Sequence, residues 1–471
     1  MTVSPLVWLP LALGLAGLLW PGSWRRPTVW IVAWFGLCVA AVMMGAAIGC
    51  VETTSIVLGL DNFARRALPV VGLWAGAFGW VLLRDDQHSR SAAVGRGGVI
   101  LGGLTLSATS TDLIGLSFAI EMVCFGTSVP RREVRGMLDR LPFLGLCVGA
   151  AGCLGVTGSL ELVTMRDVLA GVYTPAEPLL PIGRPALVLV GSVALWMIAA
   201  AAPVGVRAVS AVLDERGEPL EHQLAALTAR QLVALLALSR WIAVGLPGLE
   251  ATVTTLLVML SLIAGGCAVW LLNDRQRLDR LVGGFALWQS AGQLLWLTAA
   301  IHDTGNIVWL PAGWSHDLLV LAAMVAIAVS WVGRSSPVAY LDELRGLGAI
   351  RPVSAALLLV PLASLLGGPL VAGGWLRLTM MAQLFALHVP GPDDLLFPRL
   401  DVRYALLLWS VVWIVSARAA VEIGRVVLLE TPLRIDAQPR GRWATAAAAL
   451  AATALIAAGC CPYLLTLLTT P

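Results

Sequence analysis

The sequence predicts an all-α polytopic membrane protein with about 14 transmembrane helices. Three observations predict it: the apolar composition, the length of the apolar runs, and the side on which the arginines fall. Of the 471 residues, 58% are hydrophobic and 13% charged, and the mean hydropathy is +0.86. A soluble domain has no interior large enough for that much apolar surface.

A spanning helix needs about 20 apolar residues. The segments that qualify are 3–20, 28–50, 67–83, 97–110, 112–130, 141–160, 184–206, 222–246, 250–272, 281–301, 316–333, 353–376, 402–425 and 444–469. The first has the length of a secretory signal but lacks a basic start, and Arg25 and Arg26 follow it, so it is expected to remain as a helix. With these spans, loops on one side hold 21 arginines and loops on the other hold 6. Basic loops face the cytoplasm, so both termini are expected on the other side. A helix missed in mid-chain would erase the asymmetry.

The loops are short, which argues against an attached soluble catalytic domain. The connection 161–183, with Pro175, Pro178 and Pro181, reads as an external loop. The cysteines lie in apolar segments without metal-ligand spacing and read as small buried hydrophobes. His88, His222, His302, His316 and His388 fall near predicted helix ends. Neither a metal nor a haem site is therefore expected.

In chain order, DNFARR enters the third span, with Asp61 or Asn62 as its cap. The fifth span, TDLIGLSFAIEMVCFGTSVP, carries Glu121 near its middle. A charge at that depth costs about 2.5–3.5 kcal/mol on insertion scales, which marks Glu121 as a functional candidate. Arginine-rich PRREVRGMLDR then anchors the cytoplasmic face. The seventh segment contains Pro203 and Gly205, and the twelfth contains Pro361, Gly367, Gly368, Pro369, Gly373 and Gly374. Proline removes a helical donor and clustered glycine permits unwinding, so both are expected to be broken helices. Breaks at corresponding places in two halves point to an inverted-repeat core with sites at mid-membrane.

Further charge lies inside the apolar segments. Arg418 and Glu422 of span thirteen have i,i+4 spacing and are expected to neutralise one another. Glu121, Arg230 and Arg377 have apolar flanks and could form a polar axis through the bilayer. All 31 basic residues are arginine; the chain has no lysine. A buried lysine can be tuned to release its proton near neutrality, whereas arginine, with a pKa above about 12, stays charged.

On these stretches the chain resembles the antiporter-like membrane subunits of respiratory complex I, NADH:quinone oxidoreductase, and among them subunit N. DNFARR is similar to the family's D-G-F-A/S-R stretch, and TDLIGLSFAIEMVCFGTSVP to its fifth helix, which puts Glu121 on the ion-translocating glutamate. NDRQRLDRLVGGFALWQSAGQL resembles its N-L-K-R-L-L-A-Y-S-S stretch, with Asp279 and Arg280 at the Lys-Arg pair. LDELRGLGAIRP followed by LLGGPLVAGGWLRL is similar to its D-x-x-G-L segment and G-I-P-P-x-A-G-F-x-G-K-F helix, which puts Arg377 on a lysine. Arg230 aligns with the lysine of helix eight. The seventh-helix pattern F-K-x-x-x-x-P-F-H-x-W departs most, with Ile198 at the lysine and Pro203-Val204-Gly205 at Pro-Phe-His.

The resemblance implies fourteen helices in two inverted five-helix repeats with helices seven and twelve broken. Residues 1–96 would hold helices 1–3, 97–246 the first repeat, 247–425 the second, and 426–471 helix 14. It implies no cofactor in this chain, and an integral protein of a bacterial-type inner (plasma) membrane. The implied partners are other membrane subunits of a complex I-like assembly and the lipid bilayer, with quinone met only through neighbouring subunits and no nucleic acid. The implied function is a non-redox subunit of a proton-translocating NADH:quinone oxidoreductase, with a proton path through Glu121, Arg230 and Arg377. The alternatives are a non-pumping structural subunit of the same complex and a subunit of a related cation/proton antiporter assembly.

Overall fold

The computed structural model describes residues 62–83, 90–128, 133–171, 185–213, 220–244, 247–274, 276–302, 309–332, 340–386, 402–431 and 442–462; spans 3–20 and 28–50 and the Asp61 cap lie outside them. Among the described residues there is no strand beyond two isolated bridges. The helices are α1 (Asn62–Leu83), α2 (Arg90–Thr109), α3 (Leu113–Thr127), α4 (Glu133–Thr157), α5 (Leu162–Leu169), α6 (Pro185–Leu213), α7 (Leu220–Val244) and α8 (Glu250–Leu272). They continue as α9 (Leu278–His302), α10 (Trp309–Val332), α11 (Leu347–Ile350), α12 (Pro352–Leu366), α13 (Ala372–Ala386), α14 (Val402–Leu429) and α15 (Arg442–Cys460), with a 3₁₀ turn at Leu341–Leu344.

Helix α7 is the hub. Of the described helices, three are long and apolar enough to cross a membrane by themselves, and 89% of the α7 window is buried, against 39% for α6 and 44% for α8. It packs against α1, α2, α3, α6, α9 and α10. Small residues allow close helix approach elsewhere. A Cβ on Gly145 of α4 would lie 2.8 Å from the Ala199 Cβ, and one on Gly149 would lie 2.8 Å from the Trp196 Cβ, so glycine at this i,i+4 spacing lets α4 and α6 meet.

The start of α3 is fixed twice. The Asp112 carboxylate accepts from the Gly115 N–H at 2.6 Å, and backbone bonds from Leu113 N–H to Leu160 O and from Leu162 N–H to Thr111 O tie it to the 161–183 connection. That connection is not all loop, because its first part folds as α5.

The two expected breaks differ. The seventh segment is one unbroken helix, α6, with Pro203 inside it and Gly205 in open space, so no break occurs at Pro203–Gly205. Proline removes one donor, and the preceding run Ala199–Ala202 has the highest helix propensity of any residue type, which carries the helix through.

The twelfth segment does break. Helix α12 ends at Leu366, Gly367 takes φ +83°, and α13 starts at Ala372. The Gly368 N–H donates to Ala363 O at 2.8 Å and the Gly367 N–H to Ser364 O at 3.1 Å, the paired bonds of a Schellman terminus. Gly368 and Pro369 form the gap, and Gly373 and Gly374 open the second half. A Cβ on Gly373 would sit 1.7 Å from Ser364 O, and one on Gly374 would sit 2.4 Å from Gly368 O. The halves touch backbone to backbone. From α15, Gly459 presses on the same gap, with its would-be Cβ 2.4 Å from Val371 Cα.

Gly373→Ala is expected to lower stability by about 1–3 kcal/mol, the range for overpacking. The detergent-solubilised chain should melt several degrees lower, while Gly205→Ala, facing open space, should leave the melting temperature within error.

Candidate functional site

Two buried polar groups flank the hub. In the first, Arg230 of α7 is buried; its Nε donates to Thr127 Oγ1 at 2.7 Å and its Nη2 to Cys124 O at 3.2 Å. Both acceptors lie on α3 within two turns of Glu121. Glu121 itself is half-buried, at the rim between the exposed stripe Ile114, Phe118 and Phe125 and the inward residues Ser117 and Cys124. The Trp196 indole N–H donates to Ser117 Oγ at 3.0 Å, and Trp196 meets Trp241 of α7 edge to face at 4.7 Å. Ile198 points outward instead, so α6 offers no charge to the interior there.

A second arginine of α7, Arg240, is buried and donates through Nε to Ser110 O at 2.8 Å, with its guanidinium over the Phe63 ring. The sequence reading did not single it out. An arginine inside an apolar run, LALSRW, was the available signal.

The second group surrounds the helix break. The Arg377 side chain leans back from α13, and its Cδ lies 3.3 Å from where Gly367 would carry a Cβ. The C-terminal end of α12 is there, and the negative end of a helix dipole favours a cation. The guanidinium carbon is 4.0 Å from the Trp288 ring centre, 5.8 Å from Trp409 and 5.9 Å from Trp413. Arg377 Nε and Nη1 are buried and have no protein acceptor.

Arg377 faces a cavity of about 40 Å³ lined also by Gln289, Gln293, His316 and Asp317, room for about three waters. Asp317 is the one carboxylate among its described lining residues. Its Oδ2 accepts from Gln293 Nε2 at 3.0 Å, and its Oδ1 lies 3.0 Å from His316 Nδ1. His316 Nε2 lies 2.9 Å from Ser364 Oγ, which also accepts from the Gly373 N–H at 3.1 Å across the break. With Asp317 ionised, the Nδ1–H donates to it and neutral Nε2 takes the serine hydroxyl hydrogen; in the imidazolium form both nitrogens donate.

His316 does not lie at a helix end as its apolar run suggests: α10 begins at Trp309, which carries His316 and Asp317 inside the bundle, both under 10% exposed. Asp317 also lines a second, smaller cavity with Thr228 and Gln231 of α7. Arg230 therefore faces α3 while its neighbours face Asp317, and the groups near Glu121 and Arg377 meet through the hub. Asp279 and Arg280 lie apart from this axis at the start of α9. Asp279 hydrogen-bonds Arg277 and raises that guanidinium's pKa, and Arg280 pairs with Asp274.

The expected Arg418–Glu422 pair does not form. Glu422 pairs instead with Arg425 at 2.7 Å, and Arg425 also reaches Glu430 at 2.8 Å. The C-terminal end of α14 gathers these charges, whereas Arg418 lies in the apolar outer face. Among the described residues no three His, Cys, Asp or Glu side chains gather as metal ligands.

The described residues form a helical bundle with one broken helix, a polar interior and buried charge on both sides of a central helix. No protein-family model matches the sequence, and no curated protein matches it. The folded chain is similar to a chain of respiratory complex I from Thermus thermophilus, with 21% identity and TM-score 0.73 over 99% of this chain and 98% of that one. It is also similar to a chain of the Mrp complex from Dietzia sp. DQ12-45-1b, with 15% identity and TM-score 0.73 over 100% and 96%. A chain of the membrane-bound sulfane sulfur reductase, an archaeal respiratory membrane complex, gives 14% identity and TM-score 0.74 over 99% and 96%. The chain has the fold of the antiporter-like membrane subunits of these assemblies.

Replacing Asp317 by leucine leaves the Arg377 charge without its carboxylate and is expected to cost about 3–5 kcal/mol. The Asp317→Leu/Arg377→Met double variant should melt well above the single one. Equal melting temperatures would show that the two charges are not coupled.

Proposed function

We propose that the chain is a membrane subunit of a respiratory or antiporter-type complex, most similar in kind to subunit N of NADH:quinone oxidoreductase. In this reading it carries protons along a hydrated axis from Glu121 past Arg230 to the His316–Asp317 pair beside Arg377. Its two inverted five-helix units meet between residues 246 and 247, both termini face away from the cytoplasm, and it needs no cofactor of its own. Redox chemistry and quinone belong to neighbouring subunits.

One observation carries this reading. Seven buried polar atoms around the Arg377 cavity have no protein partner: Trp288 Nε1, Gln289 Nε2 and Oε1, Gln293 Oε1, Arg377 Nε and Nη1, and Trp409 Nε1. Left dry, each would cost about 1–3 kcal/mol. Water satisfies them, and water next to a carboxylate and an imidazole is the material of a proton path. The fixed guanidinium of Arg377 cannot relay a proton, so exchange falls to the His316–Asp317 pair, while Arg377 biases it electrostatically.

A second reading, a structural subunit that passes no protons, is favoured by the lack of lysine and by the unbroken α6. The assembly purified in mild detergent and placed in vesicles separates the two. Glu121→Gln and Asp317→Asn should each slow proton uptake, read with an internal pH dye, by about a hundredfold, the scale of losing a positioned proton-transfer group. Unchanged uptake in both variants would establish the structural reading. A dependence of uptake on external sodium would place the chain with cation/proton antiporters.

A further inference from the structure

Helix α14 shows an outer stripe that the proton axis does not use. Leu407, Val411, Ile414, Val421 and Leu429 are all exposed and repeat at helical spacing, and Arg418 lies in the middle of them, itself exposed. Glu422, one turn on, is engaged by Arg425, and no described residue pairs with Arg418. A bare arginine in an apolar membrane face needs an acceptor.

The candidate acceptors can be narrowed by depth and charge. The charged end of α14 is set by Arg425 and Glu430, tied to the adjoining turn through the Arg345–Glu430 pair and the Gly346 N–H to Val426 O bond. Arg418 lies seven residues deeper, roughly 10 Å along the axis. Helical side chains lean toward the N-terminus, so Arg418 leans further from that end, away from lipid phosphates. Within this chain, segments 3–20, 28–50 and 444–469 contain no Asp or Glu and cannot neutralise it. A second copy packed through the same stripe would set Arg418 against Arg418.

We propose that the α14 stripe is a docking surface for a transmembrane helix of a different subunit, one that presents an Asp or Glu to Arg418 within an otherwise apolar segment. Leu407, Val411, Ile414 and Val421 supply the packing surface, and Arg418 sets the register and selects the partner. The inference rests on the reading of this chain as a subunit of a membrane complex, but not on proton passage.

The test places a photo-crosslinking residue at Val421 in the full chain, in native membranes, and identifies the adducts by mass spectrometry. The expected adduct is one other membrane protein, linked within one helical turn of an Asp or Glu. Arg418→Glu should reduce its yield at least tenfold relative to the amount of chain in the membrane, Arg418→Lys should retain most of it, and acid-to-arginine exchange at the mapped partner site should rescue Arg418→Glu. Adducts with lipid alone, with a second copy, or with a segment lacking a carboxylate would overturn the proposal, as would a yield indifferent to Arg418→Glu. Unchanged proton uptake in Glu121→Gln and Asp317→Asn with crosslinking intact would count against the proton axis and leave this surface standing.

Discussion

A guanidinium held beside a break in a membrane helix is the constraint on which the second half of this bundle depends. Arg377 sits under Trp288, with Trp409 and Trp413 nearby, and its stem passes the left-handed Gly367 that ends α12. A cation there must be balanced, and Asp317 of α10 is the carboxylate that shares its cavity. The rest follows from holding that carboxylate in place. Gln293 fixes one oxygen, His316 fixes the other, and Ser364 ties His316 to the last turn of α12 and the first turn of α13. Glycines at 373, 374 and 459 bring the backbones close enough for those bonds.

The hub helix connects this cluster with the other half. Helix α7 is buried nearly all round, which is why it can carry polar residues toward two sides. Arg230 turns to Cys124 and Thr127, while Thr228 and Gln231 turn to the small cavity reached by Asp317. Thr228 also accepts from the Trp74 indole, so the hub is tied to α1 as well. Charge at Arg230 and charge at Asp317 thus lie on different sides of α7 in a buried interior, where fixed charges act over longer distances than in water.

The all-helical bundle is legible in the sequence, because apolar length is a property of segments rather than of contacts. The break at Gly367–Pro369 was legible too, since two glycines and a proline in succession leave a helix little choice. The same reasoning failed at Pro203, where one proline is surrounded by alanine and the helix continues. Arg230 and Arg377 were found as isolated charges. His316 and Asp317 carry no such signal, because the apolar run begins at 316 whereas the helix begins at Trp309, which gives two interior groups the appearance of a helix end. The pairing of Glu422 with Arg425 rather than Arg418 was not readable, because both partners are within a turn and only the helix end decides between them.

The most direct measurement is a cryo-electron microscopy map of the chain in its native assembly in a lipid nanodisc, at a resolution that shows ordered water. A hydrated axis requires waters bonded to Arg377 Nε and Nη1, Gln289 and the Trp409 indole, in contact with Asp317 and continuing to Gln231. A dry or lipid-filled cavity, with those groups closed directly on one another, would contradict it.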